Sequence, residues 1–160
     1  MAISVFSMFR FSWRHPTTAI KDALRIITYC RQRICRGYCD YDVGDIDIWF
    51  ESVMPNMLRQ LKEVQSGHPI EIIDEYYQAH QQELECSAEE FSYTLSKDEE
   101  LNRKVYEWCK VRWGEILEET ARAIVTVYKA RDSRCNVEKL EQYKDQAFSL
   151  LGTWYFCLWN

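Results

Sequence analysis

The chain has 160 residues, 47% hydrophobic and 14% aromatic, with five Gly and three Pro, which excludes a wholly disordered protein and favours long regular elements. The formal net charge of −5 is unevenly spread: residues 1–36 carry seven Lys/Arg against one Asp, and residues 71–100 carry ten Asp/Glu against one Lys. Seven Cys at irregular spacing exclude a simple disulfide framework, and no apolar run approaches the ~18 residues of a membrane span.

Met1–Trp13 is apolar and aromatic but is interrupted by Arg10 and lacks a small-residue cleavage site, so it is a poor signal peptide. Ile3, Val5, Phe9, Phe11 and Trp13 fit a short strand or helix that Pro16 ends, and a packed arm over residues 1–16 is expected. Thr17 or Thr18 then caps a first long helix. Ile20, Ala23, Leu24, Ile27, Cys30 and Ile34 recur on one face at helical spacing, and this face is predicted to be buried. Arg31, Arg33 and Arg36 lie in its last turns, where cations oppose the helix dipole, and Gly37 suits the left-handed position after the end.

A second helix is predicted to start at Asp42 or Asp45, whose carboxylates can cap orphan N–H groups. Its predicted buried stripe is Ile46, Phe50, Val53, Met57, Leu61 and Val64, with a kink at Pro55. Ser66-Gly67-His68-Pro69 is a stop. An acidic helix follows over about 71–84. Ser87-Ala88-Glu89-Glu90 and Ser96-Lys97-Asp98-Glu99 both have the form of a capping box, with a short helix between them.

The longest periodic segment is Asp98–Arg131, with Leu101, Val105, Trp108, Ile116, Leu117, Thr120, Ile124, Val127 and Tyr128 in register, and either Arg112 or Trp113 between them. Gly114 inside it costs about 1 kcal/mol relative to Ala and marks an expected close crossing. Asn136 caps a last helix that is expected to run through Leu158. Apolar residues of Leu150–Trp159 exceed one helix face, which predicts a place at the bundle centre or a homodimer contact.

Four constellations carry chemical meaning. Asp40, Asp42, Asp45, Asp47 and Glu51 superficially match a calcium loop, but Asp45 stands where an EF-hand needs Gly and Asp47 where it needs an apolar residue. Helix capping is the simpler reading, and no metal, cofactor or catalytic set is assigned. The thiols include no Cys-x-x-Cys pair and read as reduced, several of them core filler. Arg25, Arg31, Arg33 and Arg36 form a candidate nucleotide-binding set, with Arg10, Arg14, Phe9, Phe11 and Trp13 upstream, although neutralisation by the acidic segment is the plainer alternative and direct nucleic-acid binding is disfavoured. Glu71, Asp74, Glu75, Tyr76, Tyr77, Glu83, Glu85, Glu89 and Glu90 are the candidate partner-binding residues, an acidic surface suited to a basic protein.

Several segments in order carry a resemblance: Arg36-Gly37-Tyr38-Cys39-Asp40-Tyr41-Asp42-Val43, then Leu58-x-x-Leu61-Lys62 with Gly67-His68-Pro69, then Trp113-Gly114-Glu115-Ile116-Leu117, then Ala147-Phe148-Ser149-Leu150-Leu151 and Trp154 to Asn160. This order is similar to a set of small helical proteins encoded by tailed phages and prophages. His68 stands where that pattern has Tyr, and Gly44 where Trp is common. The resemblance implies a phage origin and, by analogy with anti-CRISPR proteins, inhibition of host immunity.

The reading is an all-α, single-domain bundle of about five helices over 17–160 with an N-terminal arm. The expected function is a phage-encoded, non-enzymatic binding protein in the host cytoplasm, inhibiting a defence component such as a CRISPR nuclease through its acidic surface. The alternatives are a protein that sequesters a small nucleotide signal through its basic first helix, and a metal-dependent phage enzyme using the Asp40–Glu51 carboxylates.

Overall fold

The computed structural model describes residues 16–159. The expected arm, with Arg10 and Arg14, lies outside them apart from Pro16. Every described element is helical and no strand occurs among the described residues. The order is α1 (Pro16–Arg36), α2 (Asp40–Gly44), α3 (Ile46–Val64), α4 (Ile70–Leu84), α5 (Ala88–Leu95), α6 (Glu99–Asp132) and α7 (Val137–Trp154), then a 3-10 helix over Tyr155–Trp159. The all-α class holds. The described helices number seven rather than about five: the junction folds its own short helix, α2, and the short helix expected after the Ser87 box forms as α5.

The chain divides into two compact units, Met1–Met54 and Pro55–Asn160, with the boundary inside α3 at Pro55. In the first unit, α1 begins at Pro16 rather than after a Thr17 or Thr18 cap, with proline where its missing N–H is not needed. It ends as expected: Gly37 takes φ +80° and donates to the Arg33 carbonyl at 2.9 Å, a left-handed cap that a Cβ would strain. The predicted burial of its apolar face fails. Ile20, Leu24, Ile27 and Ile34 are all exposed, Ile34 by 85%. Among the described residues α1 packs only against the five residues of α2, too little surface to cover a helix of six turns.

The stripe predicted for α3 is also corrected. Ile46, Met57 and Val64 are exposed, while Ser52, Pro55 and Leu58 are buried. The buried line therefore runs along a neighbouring face of the same helix, which the apolar pattern alone did not select.

In the second unit α6 is the central element, with α4, α5 and α7 packed on it. Val105, Cys109, Trp113, Ile116, Leu117, Ala121, Ile124 and Val127 form its buried face, against Ile72 of α4, Phe91 of α5 and Ala147 and Leu151 of α7. A fully buried side chain such as Ile72 or Leu117 contributes roughly 1.5–3 kcal/mol through burial alone. Trp113, not Arg112, is the inward residue, and its ring meets Trp154 edge-on at 5.6 Å. The close neighbour expected at Gly114 is the Lys62 side-chain stem, whose Cε would lie 3.4 Å from a Cβ built there.

The Ser87 capping box forms: Ser87 Oγ accepts from the Glu90 N–H, and Glu90 Oε2 accepts from the Ser87 N–H at 3.0 Å. The second box does not. Asp98 is the cap of α6, accepting from the Glu100 and Leu101 N–H groups, while Ser96 closes α5. A charged carboxylate gains from the dipole of so long a helix. Asn136 caps α7 as predicted. The last helix stops being α-helical at Trp154, four residues before the expected Leu158, and tightens into the 3-10 turn that serves its final carbonyls.

Candidate functional site

The nine acidic-segment residues do not share one role. Glu75 on α4 is half-buried and accepts from Arg112 Nε at 3.0 Å. Tyr76 and Tyr77, read as exposed contact residues, sit in an aromatic group instead. The Tyr76 ring stacks on His80 at 4.2 Å and meets Trp108 edge-on at 5.3 Å, and Tyr77 lies 5.3 Å from Phe91 with its hydroxyl donating to the Cys86 carbonyl. These rings fasten α4 to α5 and α6. The reason is period: Ile72, Tyr76 and His80 recur every four residues on the face α4 turns to α6.

Glu90 is committed to the capping box, and the Ser87 backbone hydrogen bond holds its carboxyl below the usual range. Glu71 accepts a long contact from the Cys157 thiol at 3.8 Å, and burial followed by the Glu71 charge pushes that thiol up. Asp74, Glu83, Glu85 and Glu89 remain, exposed and without an ionic or hydrogen-bonding side-chain partner among the described residues. Asp74 and Glu83 lie about two and a half turns apart, on opposite sides of α4. The compact acidic feature is therefore Glu83, Glu85 and Glu89, around the link from α4 to α5. Glu85 holds this link in the left-handed region at φ 47°, a conformation that residues other than Gly, Asn and Asp seldom adopt.

The nucleotide-binding set does not converge. Arg33 clasps Asp42 through Nε, at 3.0 Å, and through Nη2, and Arg36 pairs with Asp40 at 3.3 Å. A phosphate would have to displace a carboxylate from each. Arg25 and Arg31 are exposed and unpaired among the described residues, but six positions along α1 set them on different sides.

The same contacts commit two of the Asp40–Glu51 carboxylates, Asp40 and Asp42, to arginines. Asp42, 5% exposed, also accepts from the Cys39 N–H at 2.8 Å. Burial alone would raise its carboxyl, but Arg33 and the Cys39 N–H outweigh that and hold it below its ordinary value of 3.8. No group of three His, Cys, Asp or Glu able to hold a metal ion occurs among the described residues. All seven thiols are free, and burial pushes Cys109 up to about 11, so it is inert as a nucleophile near neutral pH.

Sequence reasoning missed Arg112 as the residue that removes Glu75 from the acidic face. The signal available was only its place one position before the inward Trp113. No protein-family model, curated protein or solved structure matches the chain. No described helix is long and apolar enough to cross a membrane.

Proposed function

We propose that the chain is a non-enzymatic binding protein that engages a basic surface of a protein partner through the carboxylates at the α4–α5 link. The observation that carries this reading is the group Glu83, Glu85 and Glu89: exposed, close in sequence and un-neutralised among the described residues. Like charges held this near repel one another, and a positive surface relieves that repulsion. It also speeds encounter in a salt-dependent manner. The resemblance to small helical phage proteins supports a host antiviral defence component as the partner, a CRISPR nuclease among the candidates, met in the host cytoplasm. A homodimer fits the exposure of Phe148, Tyr155 and Phe156 near the C-terminus, Phe156 being 85% exposed.

The test begins with capture of the partner by tagged chain from an infected host, identified by mass spectrometry, and continues with the purified pair. Association should slow as salt rises. The combined changes Glu83→Lys, Glu85→Lys and Glu89→Lys should slow it roughly 10-fold or more and leave the helical circular dichroism signal intact. Glu90 is left unchanged because it caps α5. Unaltered affinity and salt dependence in the triple variant would reduce the acidic link to a solvated surface.

A further inference from the structure

The junction of α1, α2 and α3 encloses an open cavity of about 210 Å³, lined by Arg33, Tyr41, Asp42, Asp45 and Trp49 among others, with mainly apolar walls. Its volume is below the roughly 300–1,000 Å³ of sites for drug-sized ligands, so it suits a single side-chain head or a comparably small group.

The charges around it are unequal. Asp42 is neutralised by its two-point contact with Arg33. Asp45 is not: its carbonyl accepts from the Trp49 N–H at 2.9 Å, but its carboxylate has no partner among the described residues. An anion entering the cavity would meet two carboxylates and a guanidinium already taken. A neutral apolar group would strip water from Asp45 and return nothing for it. A cation satisfies Asp45 and gains the rings of Trp49 and Tyr41, the second steadied by Tyr29 at 6.3 Å. A guanidinium is the best match among organic cations, being planar, weakly hydrated and able to stack on an aromatic face while donating to a carboxylate.

We propose that this cavity binds a guanidinium group, such as the head of an arginine side chain, against Trp49 and Tyr41 with Asp45 as counter-charge. The site lies in α1–α3 and uses none of the α4–α5 carboxylates, so it stands or falls separately from the acidic-link reading.

The probe is N-acetyl-arginine amide, titrated into the full chain at millimolar concentration and followed by ¹H–¹⁵N spectra. The control is the citrulline analogue, which keeps the shape and loses the charge. The Trp49 indole resonance, assigned by its loss in Trp49→Phe, should shift saturably with the arginine compound and not with citrulline. Asp45→Asn keeps a good residue at the start of α3 and should weaken binding about tenfold. Methylguanidinium distinguishes the source. Equal affinity for it assigns the site to small free guanidines, and markedly tighter binding of the amide assigns it to arginine in a peptide; either result supports the site. Absence of a saturable shift with both cations, equal binding of citrulline, or unchanged affinity in Asp45→Asn would overturn the proposal.

Discussion

Arg112 on α6 donates through Nε to Glu75 on α4 at 3.0 Å, and through Nη1 to Glu115 one turn along its own helix at 3.5 Å. One arginine thus draws a carboxylate out of the acidic stretch and ties it to the central helix. Glu75→Gln should lower stability by up to about 1 kcal/mol, a modest value because both partners are more than a third exposed and the pair is screened by solvent. Glu83→Gln, with no partner to lose, should change it negligibly. Urea unfolding of both variants separates the structural carboxylate from the free one.

The Arg33–Asp42 pair predicts an acid-sensitive junction. The folded Asp42 carboxyl lies below its ordinary 3.8, so its contribution is fully present above that value and is lost as pH falls through the folded one. Asp42→Asn should destabilise the protein by about 2 kcal/mol at pH 7, the scale of charge-assisted hydrogen bonds. The difference between wild type and variant should shrink on acidification below about pH 4. Denaturant titrations at neutral and acid pH check both parts, and a constant difference would contradict the assignment.

His68 gives a second pH effect, nearer neutrality. Its ring lies 5.3 Å from Tyr106, its Nδ1 is buried without a hydrogen-bond partner, and burial lowers it from the ordinary 6.5. The neutral form is the one that fits. Stability is therefore present above pH 6.5 and falls as pH drops through the folded value. His68→Phe keeps a ring and removes the titration. Its melting temperature should vary less between pH 7 and pH 5 than that of wild type.

Gly114 should accept a methyl group. The nearest atoms to a built Cβ belong to the flexible Lys62 stem, at 3.4 and 3.5 Å, and nothing rigid lies closer. Gly114→Ala should then recover helix propensity, raising stability by about 0.5–1 kcal/mol. Gly114→Leu should lower it, because Gly114 itself is buried and the larger side chain must push the Lys62 stem aside. Thermal unfolding of the two variants tests the sign of each.

The long helices were legible where a strong period met a clear end signal. The Val105–Val127 stripe of α6 combines many apolar positions, Asn136 caps α7, and Gly37 ends α1 by a rule that depends only on local backbone geometry, whereas the start of α6 falls to Asp98 and not to the Ser96 box. The faces of α1 and α3 were misread because amphipathicity says that a helix has an apolar side, not that a partner covers it. The acidic site was legible as charge and illegible as surface: composition cannot separate Glu75, held by an arginine 37 residues away, from Glu83, held by nothing described.

By itself, then, the sequence determined the helical class, the positions of most helix ends and the opposition of a basic and an acidic stretch. These are consequences of spacing, capping chemistry and charge within a few residues of one another. Only the tertiary structure decided that Arg33 belongs to Asp42 and Arg112 to Glu75, that Tyr76 and Tyr77 are packing residues, and that Asp45 and Trp49 share a cavity. Pairing between groups distant in sequence depends on which helix faces meet, and the α-helical repeat alone does not choose among them.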